Sequence, residues 1–134
     1  MKTYELDPGG REAVLDRLRT ILAAGQDVAF AYVHGSFMHG GPFRDIDVAV
    51  WTMPGAPRDL DIALGARLTR RAGYPVDVRV VDRAPLGFVF HALRGHPLVV
   101  HDEPRLVELI ERTARAYHDQ APLSRRATRE AFAR

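Results

Sequence analysis

Val33-His34-Gly35-Ser36-Phe37-Met38-His39-Gly40-Gly41-Pro42-Phe43-Arg44-Asp45-Ile46-Asp47-Val48-Ala49-Val50-Trp51 joins an apolar run to a Gly-Ser turn, a glycine-rich loop and an alternating run. Upstream, Val28 to Val33 is continuously apolar between Asp27 and Gly35, too short for an isolated helix and suited to a strand covered on both faces. From Asp45 the pattern alternates, with Ile46, Val48 and Val50 on one side and Asp45, Asp47, Ala49 and Trp51 on the other. A strand repeats every two residues, so both carboxylates fall on one face at its start. Aspartate is unfavourable in strands, and a pair at a strand start, after a Gly-Ser turn and its loop, points to metal and phosphate chemistry.

Working outward, Val14, Leu15, Leu18, Ile21 and Leu22 recur at helical spacing within 11–24, ahead of Gly25. Beyond the central stretch, 58–72 reads as a helix stopped by Gly73, with Leu60, Ala63, Leu64 and Leu68 on one face. The segment 75–81 is a third strand carrying Asp77 and Arg79 on one face, and a helix with Pro85 in its first turn runs to Leu93. Leu98-Val99-Val100 reads as a short fourth strand. Asp102 caps a last helix whose apolar stripe is Leu106, Leu109, Ile110, Thr113, Ala114 and Tyr117. In the second Asp-x-Asp, Asp59-Leu60-Asp61, residues two apart on a helix diverge, so these read as a cap and a solvated charge.

Strand directions follow from the carboxylates. The first strand reaches Gly35-Ser36 at its C-terminal end and the second leaves Asp45 from its start, so the two run antiparallel. For Asp77 to join Asp45 and Asp47, the third strand must start at the same end as the second, hence parallel to it, with the helix 58–72 as crossover. The expected fold is α/β in the broad sense (α+β), a small mixed sheet of about four strands flanked by helices. Residues two apart on a strand are about 6.5 Å apart and neighbouring strands about 4.8 Å, close enough for three carboxylates to converge. Hard carboxylate oxygens favour magnesium, and two ions about 3.5 to 4 Å apart would fit among them. Asp82, just past the third strand, is a rival third carboxylate. Gly35 permits close backbone approach, Ser36 and the amides after it can receive a phosphate, and Arg44 is placed for a phosphate or carboxylate contact; His34 and His39 flank the turn.

The chain of 134 residues reads as one domain over 1–120 with a basic tail or helix extension over 121–134, where four arginines face Glu130 alone. Net charge is only +2 although the pI is about 9.4, so nucleic acid stays open as a partner without being indicated. There is no cysteine, which removes disulfides, thiolate nucleophiles and cysteine zinc sites. No apolar run reaches a membrane span, and Met1-Lys2-Thr3-Tyr4-Glu5 lacks the apolar core of a signal peptide; the expected location is cytoplasmic. Gly35-Ser36-Phe37 lacks the glycine of a nucleophile elbow, which argues against a serine hydrolase.

Gly35-Ser36, Asp45-Ile46-Asp47 before Val48-Ala49-Val50, and Asp77 in a later apolar strand resemble the minimal nucleotidyltransferases, or MNT domains, of the DNA polymerase beta superfamily. The likeness extends weakly through Ala84-Pro85, Gly95, Leu98-Val99-Val100 and Asp102. The loop from Ser36 to Asp45, eight residues, is shorter than in many members, and Arg44 stands where many have serine. The resemblance implies a nucleotidyltransferase fold in which Gly35-Ser36 holds the nucleotide triphosphate and Asp45 and Asp47 bind both magnesium ions. It implies that Asp77 binds one metal and helps deprotonate the attacking hydroxyl. It also implies transfer of AMP from ATP with release of pyrophosphate. Stand-alone cores of this size in the family are paired with a helical HEPN ribonuclease toxin, so the implied role is an antitoxin that adenylylates a tyrosine of that partner. The alternatives are an antitoxin that neutralises by binding alone, and nucleotidyl transfer to RNA or a small molecule. The acceptor, the base and the assembly, homo- or hetero-oligomeric, are left open.

Overall fold

The apolar run forms strand β1, Val28–His34, in which every residue is buried. The computed structural model describes residues 2–119. β1 can be buried throughout because it serves two cores: Val28, Ala31 and Val33 face one, and Ala29, Phe30 and Tyr32 the other. A shift in pairing between Val28 and Phe30 breaks the two-residue period and lets Ala29 and Phe30 point into the same core.

Strand β2, Ile46–Thr52, pairs antiparallel with β1, and β3, Val76–Val80, pairs parallel with β2. With β4, His96–Val100, antiparallel to β1, the sheet order is β3-β2-β1-β4. This is the mixed four-stranded sheet expected from the carboxylate positions. Helices α1, Pro8–Ala24, and α2, Leu60–Ala72, share one core with the sheet; α3, Leu86–Leu93, and α4, Glu103–Asp119, close the other. Across the first core Ile46, Val48 and Val50 of β2 meet Leu18, Leu22, Leu64 and Leu68. Across the second, Trp51 stacks on Phe30 with ring centroids 4.9 Å apart.

Several boundaries differ from the sequence expectation, each for a local reason. α1 starts a turn before Arg11: Asp7 accepts a hydrogen bond from Gly10 N at 2.7 Å and Pro8 takes the first helical position, a cap that outweighs Gly9-Gly10. β4 starts at His96, ahead of Leu98, because it is an edge strand that tolerates Pro97. α2 starts at Leu60 rather than Arg58; Asp59 holds the cap position without accepting a side-chain hydrogen bond, while the Asp61 carboxylate accepts from Ile62 N at 2.9 Å. Asp102 does cap α4, accepting from Arg105 N at 3.2 Å. The α4 stripe is narrower than read: Leu106 and Thr113 are buried, whereas Ala114 and Ile110 are exposed, Ile110 at 43%. The expected tail over 121–134 lies outside the described residues.

Candidate functional site: an aspartate triad at one end of the sheet

β1 ends at Gly35, whose φ of +82° is costly for any residue with a side chain. A β-carbon there would also collide with the Asp47 carboxylate, so two independent constraints demand glycine at this corner. The chain then makes one short 3-10 turn, Ser36–His39, with Met38 N donating to Gly35 O at 3.1 Å. Phe37 and Phe43 meet edge to face at 4.8 Å and fasten both ends of the loop to the core. Phe43 also exchanges two backbone hydrogen bonds with Tyr4, of 2.8 and 2.9 Å.

The parallel ladder puts Asp77 in register with Asp47, and the antiparallel ladder puts His34 opposite Asp47 from the other side. Asp45 lies just before β2, where Ile46 N donates to Pro75 O at 2.9 Å and ties the strand entrance to β3. One carboxylate oxygen from each of Asp45, Asp47 and Asp77 lies within 4.8 Å of the others, and all three residues are half-buried. The triad forms one side of a cavity of about 480 Å³ that Ser36, Arg44 and Arg79 also line. Arg79 Nε stands 3.3 Å from Asp77 Oδ2. Asp77 is thus at once the ion-pair partner of Arg79 and a member of the carboxylate cluster.

Burial holds the Asp47 carboxyl above the ordinary aspartate range, and the negative charges of Asp45 and Asp77 push it further up; Arg79 and His91 oppose this. Three oxygen donors gathered around a carboxyl that resists ionisation suit a hard divalent cation, which would relieve the repulsion that the protein leaves in place. Asp82 does not join them. It accepts from Thr52 N at 3.1 Å, Thr52 Oγ1 at 2.8 Å and Arg105 Nη2 at 2.9 Å, beyond the far ends of β2 and β3.

Behind the Gly35 corner a second pocket of about 480 Å³ is lined by His34, His39, His91, Arg94 and His96. Burial, then the charges of His91 and Arg79, lower the pKa of His34, with Asp77 opposing. Its ring meets those of Phe88 and His91 edge to face at 5.6 and 5.7 Å. His91, Arg94 and His96 were not singled out in the sequence because they lie on α3 and β4, far along the chain from the turn. The available signal was three cationic or imidazole residues within six positions around Gly95. Gly95 itself lets this segment close on β1, since a β-carbon there would run into Val33 O.

The family model described as "Polymerase beta, Nucleotidyltransferase" matches residues 16–104. Comparison with curated proteins adds no match. Among solved structures, the chain is similar to the Shewanella oneidensis complex of a tri-AMPylated HEPN toxin with an MNT antitoxin, with a TM-score of 0.62 at 14% identity, covering 91% of this chain and 98% of that one. A toxin-antitoxin structure with AMP-PNP gives a TM-score of 0.60 at 16% identity, with the same two coverages. At these identities the likeness establishes the fold. No helix among the described residues is long and apolar enough to cross a membrane.

Proposed function

This chain belongs to the polymerase beta nucleotidyltransferase family, and from that premise we propose that it transfers AMP from ATP to a tyrosine hydroxyl of a HEPN-type toxin and so acts as its antitoxin. The observation that carries this reading is the convergence of Asp45, Asp47 and Asp77 beside Ser36 and Arg44 in one cavity. The similarity, over nearly the whole chain, to an MNT antitoxin in complex with a tri-AMPylated toxin supports the choice of acceptor.

In this reading Asp45 and Asp47 would hold the two magnesium ions, and Asp77 would be a further ligand to one. When bound, the ions supply positive charge against the charge that develops on the transferring phosphoryl group. The Gly35-Ser36 corner and Arg44 receive the triphosphate, Gly35 by leaving backbone open to it and Arg44 by charge. The tyrosine oxygen forms a bond to the α-phosphorus while the bond from that phosphorus to the oxygen bridging to the β-phosphate breaks. Pyrophosphate leaves with the electron pair, and Asp77 receives the hydroxyl proton. Arg79, 3.3 Å from Asp77, keeps that carboxylate oriented and partly compensated until the hydroxyl arrives.

The test is incubation with α-labelled ATP, magnesium and the HEPN protein encoded beside this chain. The expected result is label on a tyrosine of that protein with the wild type and its loss with Asp47→Asn. An unlabelled partner, or equal labelling by the variant, would overturn the catalytic reading. Full protection of cells by an Asp45→Asn/Asp47→Asn double variant would favour neutralisation by binding alone.

A further inference from the structure

One groove adjoins the triad at Asp77 alone, round the open edge of β3. Val76 and Val78 face α2, so the Asp77 side chain takes the opposite face of the sheet, and a strand added at that edge would present alternate side chains to the two faces. The groove is about 590 Å³ and runs between α2 and β3, with Asp77 lining both it and the cavity of the triad. β3 is the last strand on its side of the sheet. Ile46 N donates to Pro75 O and Val81 N to Val50 O, so in this parallel ladder the odd-numbered residues of 75–81 turn their backbone toward β2. Val78 and Val80 consequently turn their N–H and C=O groups outward. Val76 N, facing the same way, already donates outward to Thr69 Oγ1 at 3.0 Å.

The opposite wall is the outer flank of α2. Gly65 and Ala66 keep it low, and Ile62, 74% exposed, is the most exposed of the large apolar side chains among the described residues. An open strand edge beside a shallow apolar wall is the arrangement that takes up an extended peptide as an added strand. The crossover makes α2 antiparallel to β3, so Arg70 stands at the triad end of the groove and Asp61 at the distant end. Along the helix they are about 13.5 Å apart at about 1.5 Å per residue, which about four residues of extended chain span at about 3.3 Å each.

We propose that this groove seats an extended, tyrosine-bearing segment of the acceptor protein along the edge of β3 and delivers its hydroxyl to Asp77. The segment it fits carries an acidic residue beside the tyrosine, opposite Arg70, and a basic residue about four positions away, opposite Asp61. A small or medium apolar side chain between them packs on Gly65 and Ala66. The proposal rests on the transferase reading above, and its test separates the two.

Ala66→Arg and Ile62→Asp change exposed positions on α2 and leave the triad, Ser36 and Arg44 untouched. With the HEPN partner as acceptor, both variants are expected to raise KM for the acceptor at least tenfold while KM for ATP stays at the wild-type value. In parallel, a synthetic decapeptide with tyrosine, a neighbouring aspartate and a lysine four positions on is titrated into isotope-labelled protein. Amide shifts at Val78, Val80 and along residues 62–70, lost in Ala66→Arg, are expected. Those shifts without any transfer of label would uphold the groove and overturn the transferase reading. Transfer with wild-type acceptor KM in both variants, or peptide shifts absent from the groove, would overturn the groove and leave the transferase reading standing.

Discussion

At the far ends of β2 and β3, Asp82 receives two hydrogen bonds from Thr52 and one from Arg105, and Arg105 also donates to Thr52 O at 2.6 Å. At the near ends, Asp45, Asp47 and Asp77 crowd within 4.8 Å, and among the described residues their one ion pair is that of Asp77 with Arg79, at 3.3 Å. The same residue type at the two ends of the same pair of strands is thus satisfied by protein at one end and left short of positive charge at the other. A carboxylate answered by several donors holds a fold together; one held above its ordinary pKa by burial and by its neighbours' charge is suited to a cation brought from outside.

The sharpest way to break this contrast is Asp47→Asn. Transfer of AMP is expected to fall by about 10² to 10³ or more, the range seen when a main electrostatic element of such a site is removed. Meanwhile the metal-free protein should gain stability, with a Tm rise of roughly 2–5 °C, because a half-buried like-charge repulsion is removed. Labelling with ATP and thermal unfolding in chelator measure the two halves; a drop in both would mean that the triad is structural. Added magnesium should raise the Tm of the wild type and leave that of Asp47→Asn nearly unchanged, since only a ligand that binds the native state stabilises it.

Gly35→Ala comes next. It places a side chain at φ +82° and against the Asp47 carboxylate, and it is expected to cost about 1–3 kcal/mol together with most of the activity, measured by denaturant unfolding and the same labelling assay. Asp82→Ala should do the reverse of Asp47→Asn: a loss of about 1–2 kcal/mol, moderated because Asp82 and Arg105 are partly exposed, with transfer per folded molecule retained.

The smallest effect is on pH dependence. Asp47 binds its proton more tightly folded than unfolded, so its contribution to metal-free stability is greatest at low pH. That contribution declines as pH rises from the unfolded aspartate range through the raised folded value. His34 works in the opposite sense: its folded pKa is lowered, so stability is lost as pH falls below the unfolded histidine value of about 6.5. Tm against pH in chelator, taken as wild type minus Asp47→Asn, should slope downward with rising pH; a flat difference would remove Asp47 from the charge-strained group.

How far this contrast could be read in the sequence depends on range along the chain. The strand directions and the meeting of Asp47 with Asp77 were legible, because alternation fixes which face a residue takes and a crossover helix fixes direction. The helix ends governed by hydrogen-bonding side chains were half legible: Asp102 announced α4, whereas Asp7 was hidden by the two glycines after it. The satisfaction of Asp82 was not legible, since Arg105 lies on another helix and nothing local marks it as the partner. The same holds for His91 and His96 behind the turn, and for the groove of α2, which depends on the outer flank of a helix whose pattern reports only its buried side.

The register match between Asp47 and Asp77 carries a consequence for how such a chain can change over evolutionary time. Their separation is set by one rung of the ladder, so insertions in 53–59 or a longer α2 leave the pair in place. Asp45 has no rung of its own and depends on the loop after Ser36. Deleting the single residue Ile46 would turn Asp45 to the opposite face of the sheet, whereas whole turns can be added to the crossover without disturbing the pair.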